Sequence, residues 1–100
     1  MLTRVVKLTF QQQYLSDFYA HFETVKHQVA QFPGCLGMKL LSDMNEPNVI
    51  FTYSVWENEA ALDQYRSSEL FLSIWPQIKP WFAQRAEAWS LQENFNGFIH

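Results

Sequence analysis

The side chains of this sequence best suited to chemistry are aromatic rings that carry a polar donor, and cations that could stand beside them. Trp56 and Tyr65 each join a large apolar face to one N–H or O–H, a combination that can stack on a flat ligand and orient it through a hydrogen bond. Phe71 and Trp75 follow Tyr65 in the same stretch, and Phe18, Tyr19 and Phe22 form a second aromatic group earlier in the chain. Set face to face, the two groups would line a cavity for a flat apolar aromatic molecule. Packed without a gap, the same rings would simply be a core. Arg4, Lys39 and Arg85 lie in β-prone runs. Turned toward that cavity, any of them could hold an anionic or enolate-like substrate; turned outward, each is a solvated surface charge.

Other chemistries lack their residues. There is no glycine-rich phosphate loop, HExxH, CxxC or GxSxG. His21 and His27 are six residues apart on a helical run, off the three- or four-residue spacing that shares a face, and no third ligand accompanies them. His100 is terminal. The carboxylates are scattered through turns and helix surfaces, without a pair for acid–base work. Cys35 follows Pro-Gly with no neighbouring cation or histidine and reads as an inert, largely buried thiol. As the only cysteine it excludes an intrachain disulfide and a multi-cysteine metal cluster, and it is compatible with a reducing compartment. No metal or cofactor is expected.

The elements that must position these residues follow from periodicity. Leu2–Phe10 is β-prone. From Gln11, Leu15, Phe18, Phe22, Val25, Val29 and Phe32 recur at helical spacing, and Phe32-Pro33-Gly34 ends that helix. Cys35–Leu41 alternates as a second strand, and Ser42–Asn48 is a polar turn. Val49–Trp56 follows, with Val49, Phe51, Tyr53 and Val55 on one face and Ile50, Thr52, Ser54 and Trp56 on the other. A helix capped by Asn58 or Glu57 starts near Glu59 and presents Ala61, Leu62 and Tyr65 to the sheet. Ser67-Ser68-Glu69 interrupts it, and a second stretch carries Leu70, Phe71, Ile74, Trp75 and Ile78 toward Pro80, with a turn or kink near Pro76. Phe82–Glu93 suits a helix or a strand about equally; a strand supplies the fourth member that β-α-β-β-α leaves open.

The expected fold is therefore α+β and ferredoxin-like, with a four-stranded antiparallel sheet and helices on one face. Residues 1–93 form the domain and 94–100 a tail that retains Phe95, Phe98 and Ile99 and is placed to pack on a partner subunit. In a chain of 100 residues, 48% hydrophobic and 17% aromatic content exceeds what one small core needs. Val5, Trp56 and Trp89 are available to the sheet face opposite the helices. Burial of that face against a second copy makes a homodimer the expected assembly. A net charge of −3 without a Lys/Arg run speaks against sequence-independent nucleic-acid binding. No apolar run approaches the roughly 20 residues of a membrane span, and the start lacks the layout of a leader, so a cytoplasmic location is expected.

Three segments together carry a family resemblance: PGCLGMKLL (33–41), FTYSVWENEAALDQY (51–65) and SSELF (67–71). Over about residues 2–92 the chain resembles the antibiotic biosynthesis monooxygenase superfamily of dimeric α+β barrels. The resemblance implies a homodimer with sheets packed face to face and C-terminal segments laid across or exchanged with the partner. It also implies, for some members, oxygenation of phenols or quinols by dioxygen without flavin, metal or haem. Trp56 stands at the family's recurrent pocket tryptophan, and Tyr65 and Arg85 are the residues expected to give polar help to a substrate anion. In the haem-degrading branch, a first-strand Asn and an iron-ligating His accompany that Trp. Here those positions fall on Val6 and Trp75, which removes the axial ligand and the basis of that reaction. The scaffold also admits a dimeric binding protein for a small hydrophobic ligand, and an isomerase, decarboxylase or dehalogenase.

Overall fold

A computed structural model describes residues 1–98. The chain runs β1 (Leu2–Thr9), α1 (Leu15–Ala30), β2 (Cys35–Ser42), β3 (Val49–Trp56), α2 (Glu59–Arg66), α3 (Glu69–Ile78) and β4 (Glu87–Gln92). The strands form one antiparallel sheet in the order β2-β3-β1-β4. This is the expected ferredoxin-like fold, with its second helix divided in two.

Local chemistry sets each boundary. Phe18 and Val29 are the buried members of the apolar stripe on α1. The chain leaves α1 through Gly34, whose φ of 89° suits glycine, and a Cβ at that position would stand 2.5 Å from the Cβ of Ala61 in α2. Asp43 Oδ1 accepts from the N–H groups of Asn45 and Glu46 at 2.8 and 3.0 Å, which shapes the β2–β3 turn. Asn58 caps α2 by accepting from the Ala61 N–H at 2.8 Å. The break at Ser67-Ser68 is a second cap: Ser68 Oγ accepts from the Phe71 N–H at 3.1 Å and donates to the Tyr65 carbonyl at 2.6 Å. Pro76 lies within α3, which continues to Ile78 before tightening into a 3-10 turn at Lys79–Trp81.

The fourth strand is shorter than its sequence suggests. Phe82 makes only an isolated bridge to Phe10, the Ala83 N–H donates to the Thr9 carbonyl at 2.7 Å, and regular pairing with β1 begins at Glu87. Residues 83–86 are spent crossing from the helix layer to the sheet edge.

Alternation gives the sheet two faces. Arg4, Val6 and Leu8 of β1, Thr52, Ser54 and Trp56 of β3, Met38 of β2 and Ala88 of β4 turn toward the helices. On the open face the register aligns Lys39, Tyr53, Val5 and Trp89 in one row, with Leu41, Phe51, Lys7 and Glu87 in the next. Trp89, Leu91 and Leu41 there are 42%, 48% and 48% exposed. Trp56 does not join them: it is 1% exposed and faces the helices, because it shares the parity of Ile50 rather than that of Tyr53. Phe95 and Phe98 of the tail are exposed, and Ile99 and His100 lie outside the described residues.

The core has two centres. Leu8, Phe10, Phe18, Ile50 and Ile78 form one, and Trp56, Ala61 and Leu62 with Leu2, Phe32, Cys35 and Tyr65 form the other.

Candidate functional site

Between these centres the layers do not close. Ala88 of β4 and Ala86 just before that strand line this space, and β3 supplies Thr52 and Ser54, so small side chains lie under large aromatic walls. The result is a cavity of about 330 Å³, within the range of roughly 300–1,000 Å³ usual for small-molecule sites. Its floor has a polar pair in register, Ser54 and Arg4, beside a more apolar row, Thr52–Val6–Ala88. Phe18, Phe22, Val25 and Val29 of α1 form one wall, and Leu62, Tyr65, Phe71, Ile74, Trp75 and Ile78 of α2 and α3 the other.

Rings connect the two centres. Trp56 stacks on Tyr65 at 5.1 Å, Tyr65 meets Phe71 at 5.3 Å, Phe71 meets Trp75 at 5.6 Å, and Trp75 meets Phe82 at 5.5 Å. Phe82 then reaches Phe10, which stacks on Phe18 at 4.4 Å. Trp56 Nε1 donates to Ser54 Oγ at 2.9 Å, and the Ser54 hydroxyl donates to the Arg4 carbonyl at 3.5 Å, so the indole is fixed in its plane.

Two electrostatic features follow from this enclosure. Burial, and secondarily the nearby Cys35 thiol, push the Tyr65 phenol up to about 12, so it remains a neutral donor near neutral pH. Arg4 is lowered from its ordinary value, first by burial and then by the charge of Arg66, with Asp63 acting weakly the other way. Arg4 Nη1 donates to Ser90 Oγ at 2.9 Å. The ion pairs among the described residues, Lys7–Glu87 and Lys26–Glu23, involve neither of these arginines.

Most of the expected site residues converge. Trp56, Tyr65, Phe18, Phe22, Phe71 and Trp75 all line the cavity. Tyr19 does not: it is 39% exposed, because it is one residue, about 100° of helical turn, off the stripe that includes Phe18. Arg85 does not either. It is exposed and precedes β4, in the segment that crosses to the sheet before regular pairing begins. Lys39 pairs in register with Tyr53 on the open face. Of the three strand cations, Arg4 is the one in the cavity, joined by Arg66 from the end of α2, which sequence reasoning did not single out. Val6 and Trp75 also line it, and among the described residues no histidine, cysteine or carboxylate does, so this donor set does not fit an iron-bound haem. His21 lies elsewhere, edge-on to Trp81 at 6.4 Å, with its Nε2 buried and without a partner.

A ferredoxin-like domain with a ligand-sized aromatic cavity under its helices is the class that fold and site define. A family model described as antibiotic biosynthesis monooxygenase matches residues 1–75, and the chain belongs to that family. In structure it is similar to a crystal structure of an antibiotic biosynthesis monooxygenase, with a TM-score of 0.88 at 20% identity, covering 93% of this chain and 98% of that one. It is equally similar to a conserved protein from Methanosarcina mazei Go1, with a TM-score of 0.87 at 19% identity and 94% of each chain covered. At such identities the likeness is one of fold. No curated protein matches the chain in sequence.

Proposed function

We propose that the chain works as a homodimer closed through its open sheet face, and that each protomer's cavity oxygenates a small aromatic, hydroquinone-type substrate with dioxygen and no bound cofactor. The observation that carries this reading is the aromatic-walled cavity with its fixed Trp56, its protonated Tyr65 and two guanidiniums. Such a lining favours an electron-rich anion over its neutral form. In the reaction, one atom of dioxygen enters a ring carbon and the other leaves as water. The hydroquinone becomes a hydroxyquinone, supplying all the electrons itself. Tyr65 donates to the phenolate oxygen, Trp56 positions the ring, and the aromatic walls exclude water. The apolar row through Tyr53, Val5 and Trp89 supports dimerisation, and the free thiol of Cys35 fits a reducing, cytoplasmic setting.

One feature favours a second reading, a dimeric protein that binds an aromatic ligand without turning it over: among the described residues no carboxylate or imidazole lines the cavity to take the substrate's proton. Oxygen uptake by metal-stripped protein across a panel of hydroquinones, with mass spectrometry of products and an autoxidation control, separates the two. The oxygenase reading expects protein-dependent uptake with an oxygenated product, reduced about tenfold or more in Trp56→Phe, which loses the bond to Ser54. Saturable binding with no uptake above the control leaves the binding protein.

A further inference from the structure

The charged groups of the cavity stand together. Arg4 lies in the floor between Ser54 and Ser90, and Arg66 lines the same space while remaining exposed, which marks where the cavity opens. No acid lines the cavity, and neither guanidinium has a carboxylate within 4.0 Å among the described residues. The charge of Arg66 lowers Arg4 from its ordinary value while Asp63 acts the other way, so the two guanidiniums stand close enough to interact. Two like charges in a partly shielded place cost the fold stability, and an anion placed between them reverses the sign. One phenolate oxygen can use only a few of the N–H donors of two guanidiniums, so a reacting phenolate by itself leaves most of them unanswered. A carboxylate offers two coplanar oxygens, which a guanidinium grips in bidentate fashion.

We propose that the ligand of this cavity carries a carboxylate on its aromatic ring system, gripped by Arg4 and Arg66 at the opening, with the ring running inward over Val6 and Ala88. Ser90 accepts from Arg4 Nη1 at 2.9 Å and so holds that guanidinium in place before the ligand arrives. The assignment rests on the reading of the cavity as a substrate site and adds the substrate's charge to it; it is independent of the oxygen chemistry.

Calorimetric titration with 2-naphthoate and 2-naphthamide tests it, because the two probes share a ring and a shape, differ in charge, and are not hydroquinones. The wild type is expected to bind the carboxylate about ten- to hundredfold more tightly than the amide, and the preference should shrink as salt is raised. In Arg66→Gln, an exposed change that leaves the core untouched, the preference should fall to within about threefold, while Arg66→Lys, which keeps the charge but not the fork, recovers part of it. Equal binding of both probes by the wild type, or a preference that Arg66→Gln does not alter, overturns the carboxylate assignment and leaves an aromatic site. Failure of both probes to bind overturns it together with the reading of the cavity as a ligand site. Oxygen uptake with uncharged hydroquinones tests the oxygenase reading separately.

Discussion

Replacing Tyr65 with Phe removes one oxygen atom and keeps a ring that stacks on Trp56 at 5.1 Å and meets Phe32 and Phe71 edge-on at 5.3 Å. The packing of α2 on β3 is retained, so near neutral pH the variant should lie within about 1 kcal/mol of the wild type. The alkaline limb is where they part. The folded phenol is pushed up to about 12, chiefly by burial, while the unfolded one titrates near 10. A group raised in this way stabilises the fold fully below its unfolded value and loses that contribution as pH rises through its folded one. The interval corresponds to about 2.7 kcal/mol, an upper figure because the ring is not wholly enclosed. Urea unfolding followed by tryptophan fluorescence, repeated from about pH 8 to about pH 12, reads it directly. The wild type should lose about 2 kcal/mol more than Tyr65→Phe across that range. Parallel curves would refute the reasoning, because a phenol with no alkaline linkage is hydrated in the native state and is not a donor held in a dry cavity. In oxygen uptake, the same variant should show a kcat about a hundredfold lower, the usual cost of removing one preorganised donor to a developing anion.

Two further outcomes are expected. Gly34→Ala should destabilise the domain by roughly 1–3 kcal/mol, seen as a lower urea midpoint with unchanged slope, because the new Cβ meets Ala61 at 2.5 Å and φ there is 89°. By light scattering at micromolar concentration the wild type should be a dimer and Trp89→Glu a folded monomer, since Trp89 is 42% exposed at the sheet edge and contributes little to the protomer's own core.

The fold was legible because its signals were mutually consistent. The stripe from Leu15 to Val29, the Phe32-Pro33-Gly34 exit, the cap at Asn58 and the Val49–Trp56 run each name one element, and all are present. The limits of β4 were not legible, because the alanines and glutamates of the last segment suit either state. Its start at Glu87 is set by pairing with Lys7 across the sheet, a long-range constraint that no local window contains. The division of the second helix was visible at Ser67-Ser68, and its mechanism is the paired caps that restart the helix at Glu69.

The site was less legible for a specific reason. In a sheet with one wet face, hydrophobicity alone tells which side chains meet the helices; here both faces are apolar, and Val5 and Val6 look alike while pointing to opposite sides. Arg85 was a candidate as a strand cation, yet regular pairing begins only at Glu87 and the side chain is exposed. Size is the better guide. Ala86 and Ala88 are too small to fill a helix–sheet layer, and theirs is the side that leaves room for a ligand. By the same rule Arg4, whose register partners are Ser54 and Ser90, stands among small neighbours with space above it, which is where a long cation can reach a substrate. Arg66 had no comparable signal. At the last position of α2 a cation reads as a complement to the helix dipole, and only the restart of the chain at Ser68 turns that helix end into the rim of a cavity.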